Sequence, residues 1–176
     1  RRTVVSTANA ARKTPVGMFA QMALALSSVE RAGVDRDLPD SAGAAKTLIQ
    51  AFVGASAHFG PSGKYLSHGD AGWLADHLSE ALAPQGKNHA AILNAALVLS
   101  AEHELSAPTF AVRICASTGA DIYACVAAGI MAQSGPMQVG GSIDAENLMR
   151  AVAQGKETPR SAFATGPLPC FGHPLY

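Results

Sequence analysis

Apolar residues in this chain recur at the three-and-four spacing of helices, and β-branched residues rarely alternate with polar ones. That pattern constrains the fold most, because a period of 3.6 buries one stripe of a helix while a period of two buries one face of a strand. Thr3-Val4-Val5 is the only strand-like cluster. Thr14-Pro15 reads as a cap followed by a first-turn proline, with Phe19, Met22, Leu26 and Val29 on one face behind it. A second helix is expected from Asp40-Ser41, burying Ala44, Leu48, Ile49 and Phe52. The glycine-rich stretch from His58 to His68 reads as a connection. Ser67 and Asp70 then fit a capping box ahead of Trp73, Leu74, Leu78 and Leu82. Asn88 is expected to cap a helix that turns Ile92, Ala95, Ala96 and Leu99 inward. Helices opening near Pro108, Asp121 and Asp144 complete the series, with loop after Gln154. The spacing predicts an all-α fold.

Hydrophobic residues make up 48% of the 176 and charged residues 15%, so a buried core is affordable and a disordered chain is not expected. The net charge is zero, and no basic stripe with interleaved aromatics exists, which excludes nucleic acid as the expected partner. Arg1, Arg2, Arg12 and Lys13 give the start a mild positive bias that a solvated terminus explains. Cys115, Cys125 and Cys170 are odd in number and have no C-x-x-C spacing, which favours a reducing, cytoplasmic setting over a disulfide scaffold or zinc knuckle. Ile114 to Ala132 is the most apolar run, but it holds Ser117, Thr118 and Asp121 and follows Arg113. It reads as a core helix rather than a membrane span. No signal peptide is visible, and the absence of an initial methionine is expected of a processed or trimmed product.

Three segments have the residues for chemistry. Glu102-His103-Glu104 places an imidazole between two carboxylates, which favour its charged form and suit it to an anionic ligand. A metal at this triplet is disfavoured, because adjacent residues on a helix point in different directions, and a histidine tying down a helix C-terminus is the plainer alternative. In Phe171-Gly172-His173-Pro174, proline biases His173 toward extended backbone and Gly172 permits close approach. Such a loop suits a proton donor or a ligand clamp. Ser134 to Ser142 carries two glycines before a helix start, where backbone N–H groups can face an anion or the chain can hinge. His58, His68, His77 and His89 read as surface or capping residues. A hydrolase triad of Ser117, His103 and Asp121 lacks a nucleophile elbow, and Cys115 and Cys125 read as core.

Residues Leu97 to Gly141, LVLSAEHELSAPTFAVRICASTGADIYACVAAGIMAQSGPMQVGG, resemble the citrate synthase family closely. The terminal CFGHPLY is similar to that family's loop with a second catalytic histidine. TPVGMFAQMALAL and LSHGDAGWLADHL look similar in the expected order but are less diagnostic, so the likeness runs from about Thr14. The resemblance implies a multi-helical homodimer, with residues 1–137 as a large helical domain and 138–176 as hinge and the beginning of an incomplete small domain. It implies condensation of acetyl-CoA with a 2-oxo dicarboxylic acid such as oxaloacetate, or cleavage in the citryl-CoA lyase direction, with coenzyme A as co-substrate and no metal. By the same resemblance His103 binds the oxo-acid and His173 gives a hydrogen bond, then a proton, to the reacting carbonyl oxygen. Phe171 and Gly172 belong to backbone that approaches coenzyme A.

Three departures bear on activity. Gln138 stands where the family's Gly-Pro-Leu-His-Gly-Gly places its enol-stabilising histidine, and Val139 follows it. A glutamine amide can donate a hydrogen bond but does not titrate. Ser100 replaces a histidine common in the family, and the chain ends at Tyr176, ahead of the family's aspartate and carboxylate-clamping arginines. The expectation is therefore a citrate synthase-like protein with impaired activity. The alternatives are a non-catalytic relative that binds coenzyme A or a dicarboxylate, and a helical dimerisation module.

Overall fold

The computed structural model describes residues 2–11, 14–31, 41–69, 72–83, 87–102, 104–135, 141–164, 166 and 168–169. Among these residues the chain is all-α, with no strand. The helices are α1 (Arg2–Ala11), α2 (Pro15–Arg31), α3 (Ser41–Ser56), α4 (Leu74–Leu82), α5 (Ala90–Leu99), α6 (Ala107–Ser117), α7 (Ile122–Gln133), α8 (Gly141–Ala153) and α9 (Pro159–Ala164). The chain divides into two compact units, Arg1–Ala132 and Gln133–Tyr176. The break expected after residue 137 falls outside the described residues.

The core of the first unit joins α1, α2, α3 and α7. Val4, Ala8 and Ala11 repeat at helical spacing on α1, so the strand-like Thr3-Val4-Val5 cluster lies within a helix instead. Thr14 caps α2 by accepting a hydrogen bond from the Gly17 N–H at 3.2 Å, and Pro15 occupies the first turn. Met18, Met22, Ala23 and Leu26 meet Ala44, Leu48, Ala51 and Ala55 of α3, with Tyr123 and Ala127 of α7. Each fully buried Met or Leu contributes about 1.5–3 kcal/mol. Phe19 stacks on Phe52 at 4.8 Å with the rings tilted by 43°. Val29 and Ile49 are about half exposed, contrary to the expected faces. Alanines hold the close crossings, which leaves the larger branched side chains at the edge of each stripe.

Several helix starts differ from the expected ones. α4 begins at Leu74 with Trp73 at the N-cap and no side-chain cap bond, so Ser67 is too far upstream to cap it; Asp70 lies outside the described residues. Trp73 is 76% exposed rather than part of a buried face. Asn88 does cap, its Oδ1 accepting from the Ala90 N–H at 2.8 Å, although His89 holds the N-cap position of α5. α5 nevertheless has no buried residue, and Ile92 and Leu99 point to solvent. The apolar run from Ile114 to Ala132 spans two helices, as the separate starts expected near Pro108 and Asp121 require. α6, capped by Ser106 with Pro108 in its first turn, ends at Ser117, and Gly119 turns the chain at φ +78°. Asp121 then starts α7, its Oδ1 accepting from the Ala124 N–H at 2.9 Å. Its Oδ2 accepts from Ser27 on α2 at 2.8 Å, tying α7 to the core. A Cβ at Gly129 would press on Val112, so this glycine lets α6 and α7 cross closely. No described helix is long and apolar enough to cross a membrane.

In the second unit, α8 starts three residues before the expected Asp144 and carries an exposed Arg150–Glu146 pair one turn apart. α9 lies where loop was expected. Thr158 and Ser161 cap it reciprocally, each hydroxyl accepting from the other's backbone N–H at 3.0 Å. Thr158-Pro159 repeats the cap-then-proline signature of Thr14-Pro15, a signal present in the sequence but not used there.

Candidate functional site

His103, Gln138, Phe171, Gly172 and His173 all lie outside the described residues, whereas Glu102 and Glu104 on either side of His103 lie within them. α5 is closed by Ser100, whose N–H donates to the Ala96 carbonyl at 2.9 Å, and the Ala101 N–H donates to the Val98 carbonyl at 3.3 Å. The Glu104 N–H donates to the Glu102 carboxylate at 2.7 Å, and Glu104 takes a left-handed φ of 53°. That conformation costs a non-glycine residue about 1–2 kcal/mol. The Glu102 bond and the Ser106 cap of α6 hold it in place. Glu102 is thus engaged with backbone through its Oε1. Gly135 precedes the Gln138 segment, and α8 resumes at Gly141.

The hydrolase triad finds no support. Asp121 is occupied by its cap and by Ser27, and the Ser117 hydroxyl donates to the Ile114 carbonyl at 2.8 Å. Cys125 is buried, and burial, with the neighbouring Cys115 adding to it, pushes its thiol above the usual value. That environment suits packing rather than nucleophilic chemistry.

A second locus is built by α3, α4 and the glycine-rich connection. Gly54 lets residues 65 and 66 lie directly on α3, where the Leu66 N–H donates to the Gly54 carbonyl at 3.0 Å. A Cβ at Gly60 would collide with the Ala81 carbonyl of α4. These two close approaches bring His68 over α4. Its side chain is only 6% exposed, its ring stacks on His77 at 4.3 Å, and its Nδ1 lies 3.8 Å from Glu80 Oε2. Burial, and next the like charge of His77, lower the His68 pKa below the ordinary imidazole value, against the opposing pull of Glu80. The two histidines line a cavity of about 500 Å³ whose wall includes Lys46, Ile49 and Gln50 of α3. His89 is an exposed cap as expected, whereas His58 and His68 are half-buried and each buries one ring nitrogen. Nothing in the local sequence joins His68 to Glu80. Only the fold of the connection does.

The family model described as citrate synthase, C-terminal domain, matches residues 2–176. The chain belongs to the citrate synthase family. Among curated relatives, it is 38% identical over 74 residues to the 2-methylcitrate synthase of Shewanella oneidensis, covering 42% of this chain and 20% of that protein. It is 41% identical over 61 residues to citrate synthase 2 of Bacillus subtilis, covering 35% of this chain and 16% of that protein. The aligned stretches thus span at most a fifth of either citrate synthase relative. The family match includes both histidine motifs, the Gln138 segment and the α3–α4 cavity.

Proposed function

We propose that this chain is part of a citrate synthase-type acyltransferase that makes or breaks the carbon–carbon bond between an acyl-CoA and a 2-oxo dicarboxylic acid such as oxaloacetate. The observation that carries the reading is the family match over residues 2–176, which takes in every residue assigned a role. His103 binds the oxo-acid. The strained, capped turn at Glu104 supports this role, since strain of this kind concentrates at ligand sites. His173 hydrogen-bonds and then protonates the reacting carbonyl oxygen, while Phe171 and Gly172 offer backbone to coenzyme A. In the condensing direction, a base removes a proton from the acyl α-carbon and the resulting enolate attacks the oxo-acid carbonyl carbon; water then cleaves the thioester of the adduct and frees the coenzyme A thiol. Gln138 offers an amide N–H to the enolate oxygen in place of an imidazole. The working unit is a homodimer, and the setting is cytoplasmic.

Gln138 also supports a second reading, a relative that binds coenzyme A or a dicarboxylate without turnover. Release of coenzyme A thiol by the intact protein, supplied with acetyl-CoA and oxaloacetate, separates the two. The enzyme reading expects release that depends on both substrates and rises in Gln138→His. A correctly placed donor is worth up to ~10²–10³ in rate, so the gain is expected to lie below that ceiling. No release from either protein, with both ligands still bound, favours the second reading.

A further inference from the structure

The cluster of His68, His77 and Glu80 plays no part in the proposed reaction, and its geometry has a chemistry of its own. His77 and Glu80 stand three residues apart on α4, a spacing that puts them on one helix face. His68 is delivered to the same place by the connection that Gly54 and Gly60 hold against α3 and α4. One nitrogen or carboxylate oxygen from each of the three residues lies within 4.8 Å of the other two. Independently of that spacing, His68 Nε2 is buried with no hydrogen-bond partner, on a side chain that is only 6% exposed. Buried polar nitrogens are seldom left unsatisfied, and His68 is one of the residues that line the cavity.

We propose that His68, His77 and Glu80 bind a divalent cation of the zinc type, clasping the connection to α4. The donor set selects the metal class. Two imidazoles with one carboxylate suit Zn²⁺, Co²⁺, Ni²⁺ or Cu²⁺, whereas Ca²⁺ and Mg²⁺ want an all-oxygen shell. Metal–ligand bonds of ~2.0–2.2 Å require the three donor atoms to draw closer than they now stand. Glu80 supplies the movement, because its side chain is 65% exposed and free to swing, while the buried His68 stays fixed. Three protein ligands leave further coordination positions for water or a small ligand. The three ligands share no residue with the proposed acyl-transfer machinery, so the site stands or falls independently of that reading.

The test uses the intact, tag-free protein, stripped with a chelator and titrated with Zn²⁺ against a chromogenic competitor, then with Co²⁺ followed by visible absorption. The expected result is one equivalent per chain and intense Co²⁺ bands of low coordination number. Second-shell changes alone typically weaken metal binding ~10–100-fold, so His77→Gln and Glu80→Gln, which remove ligands, are expected to weaken it by more than ~100-fold. His89→Gln leaves it unchanged. Zn²⁺ should also raise the Tm of the native chain and not that of Glu80→Gln, a substitution at an exposed position that does not disturb the core. Absence of saturable binding by the native chain overturns the proposal. So does undiminished binding by the His77→Gln/Glu80→Gln double variant.

Discussion

α2 and α5 are both apolar helices, yet they end in opposite environments. On α2, Met18, Met22 and Ala23 are completely enclosed. α5 reads AAILNAALVL without a single charge, and none of its residues is buried; Ile92 is 72% exposed and Leu99 80%. Phe110 and Ile114 on α6 are also about half exposed. The difference lies in what each helix meets. α2 packs with three helices in one buried cluster, whereas among the described helices α5 contacts mainly α4. An apolar pattern thus records that a surface needs covering, and does not say that the cover comes from the same chain. In the homodimer we propose, the α5–α6 surface is where a second copy would add apolar burial.

The comparison can be broken at three points. The largest effect is expected from Met22→Ala, which opens a cavity in the enclosed face and should lower unfolding free energy by about 2–5 kcal/mol in a denaturant titration. Asp121→Ala comes next. It removes the α7 cap and the Ser27 bond together, and the same titration should show a loss of about 1–2 kcal/mol. Smallest is Leu99→Lys on the open face, with a change within about 0.5 kcal/mol for the chain's own stability. In sedimentation velocity, the same variant should shift the protein toward monomer. A Leu99 variant as unstable as Met22→Ala would erase the distinction between the two helices. One that leaves self-association untouched would put any dimer contact elsewhere.

Most of the fold was legible locally because caps and prolines are local. Thr14-Pro15, Asn88, Pro108 and Asp121 each mark a helix start to within about two residues, as sequence signals of this kind allow. What misled was long-range. Ile49 and Leu99 have the right spacing to be buried, but only the arrangement of partner helices decides which stripe is covered. The Ser67–Asp70 pattern looks like a capping box, yet the glycines at 69 and 72 carry the chain on to Trp73 before α4 begins. The same limit hid His68, His77 and Glu80. His68 and Glu80 are far apart in sequence and meet only because Gly54 and Gly60 admit close backbone approach. The family motifs were legible for the opposite reason, since each is a short contiguous run centred on a histidine or on Gln138.

In the proposed site His103 holds the oxo-acid, and calorimetry with oxaloacetate reads that binding. The intact protein is expected to bind saturably, and His103→Gln to bind ~10–100-fold more weakly, the worth of a hydrogen bond to a charged group. Equal affinity in the two proteins, or no binding by either, would contradict the account.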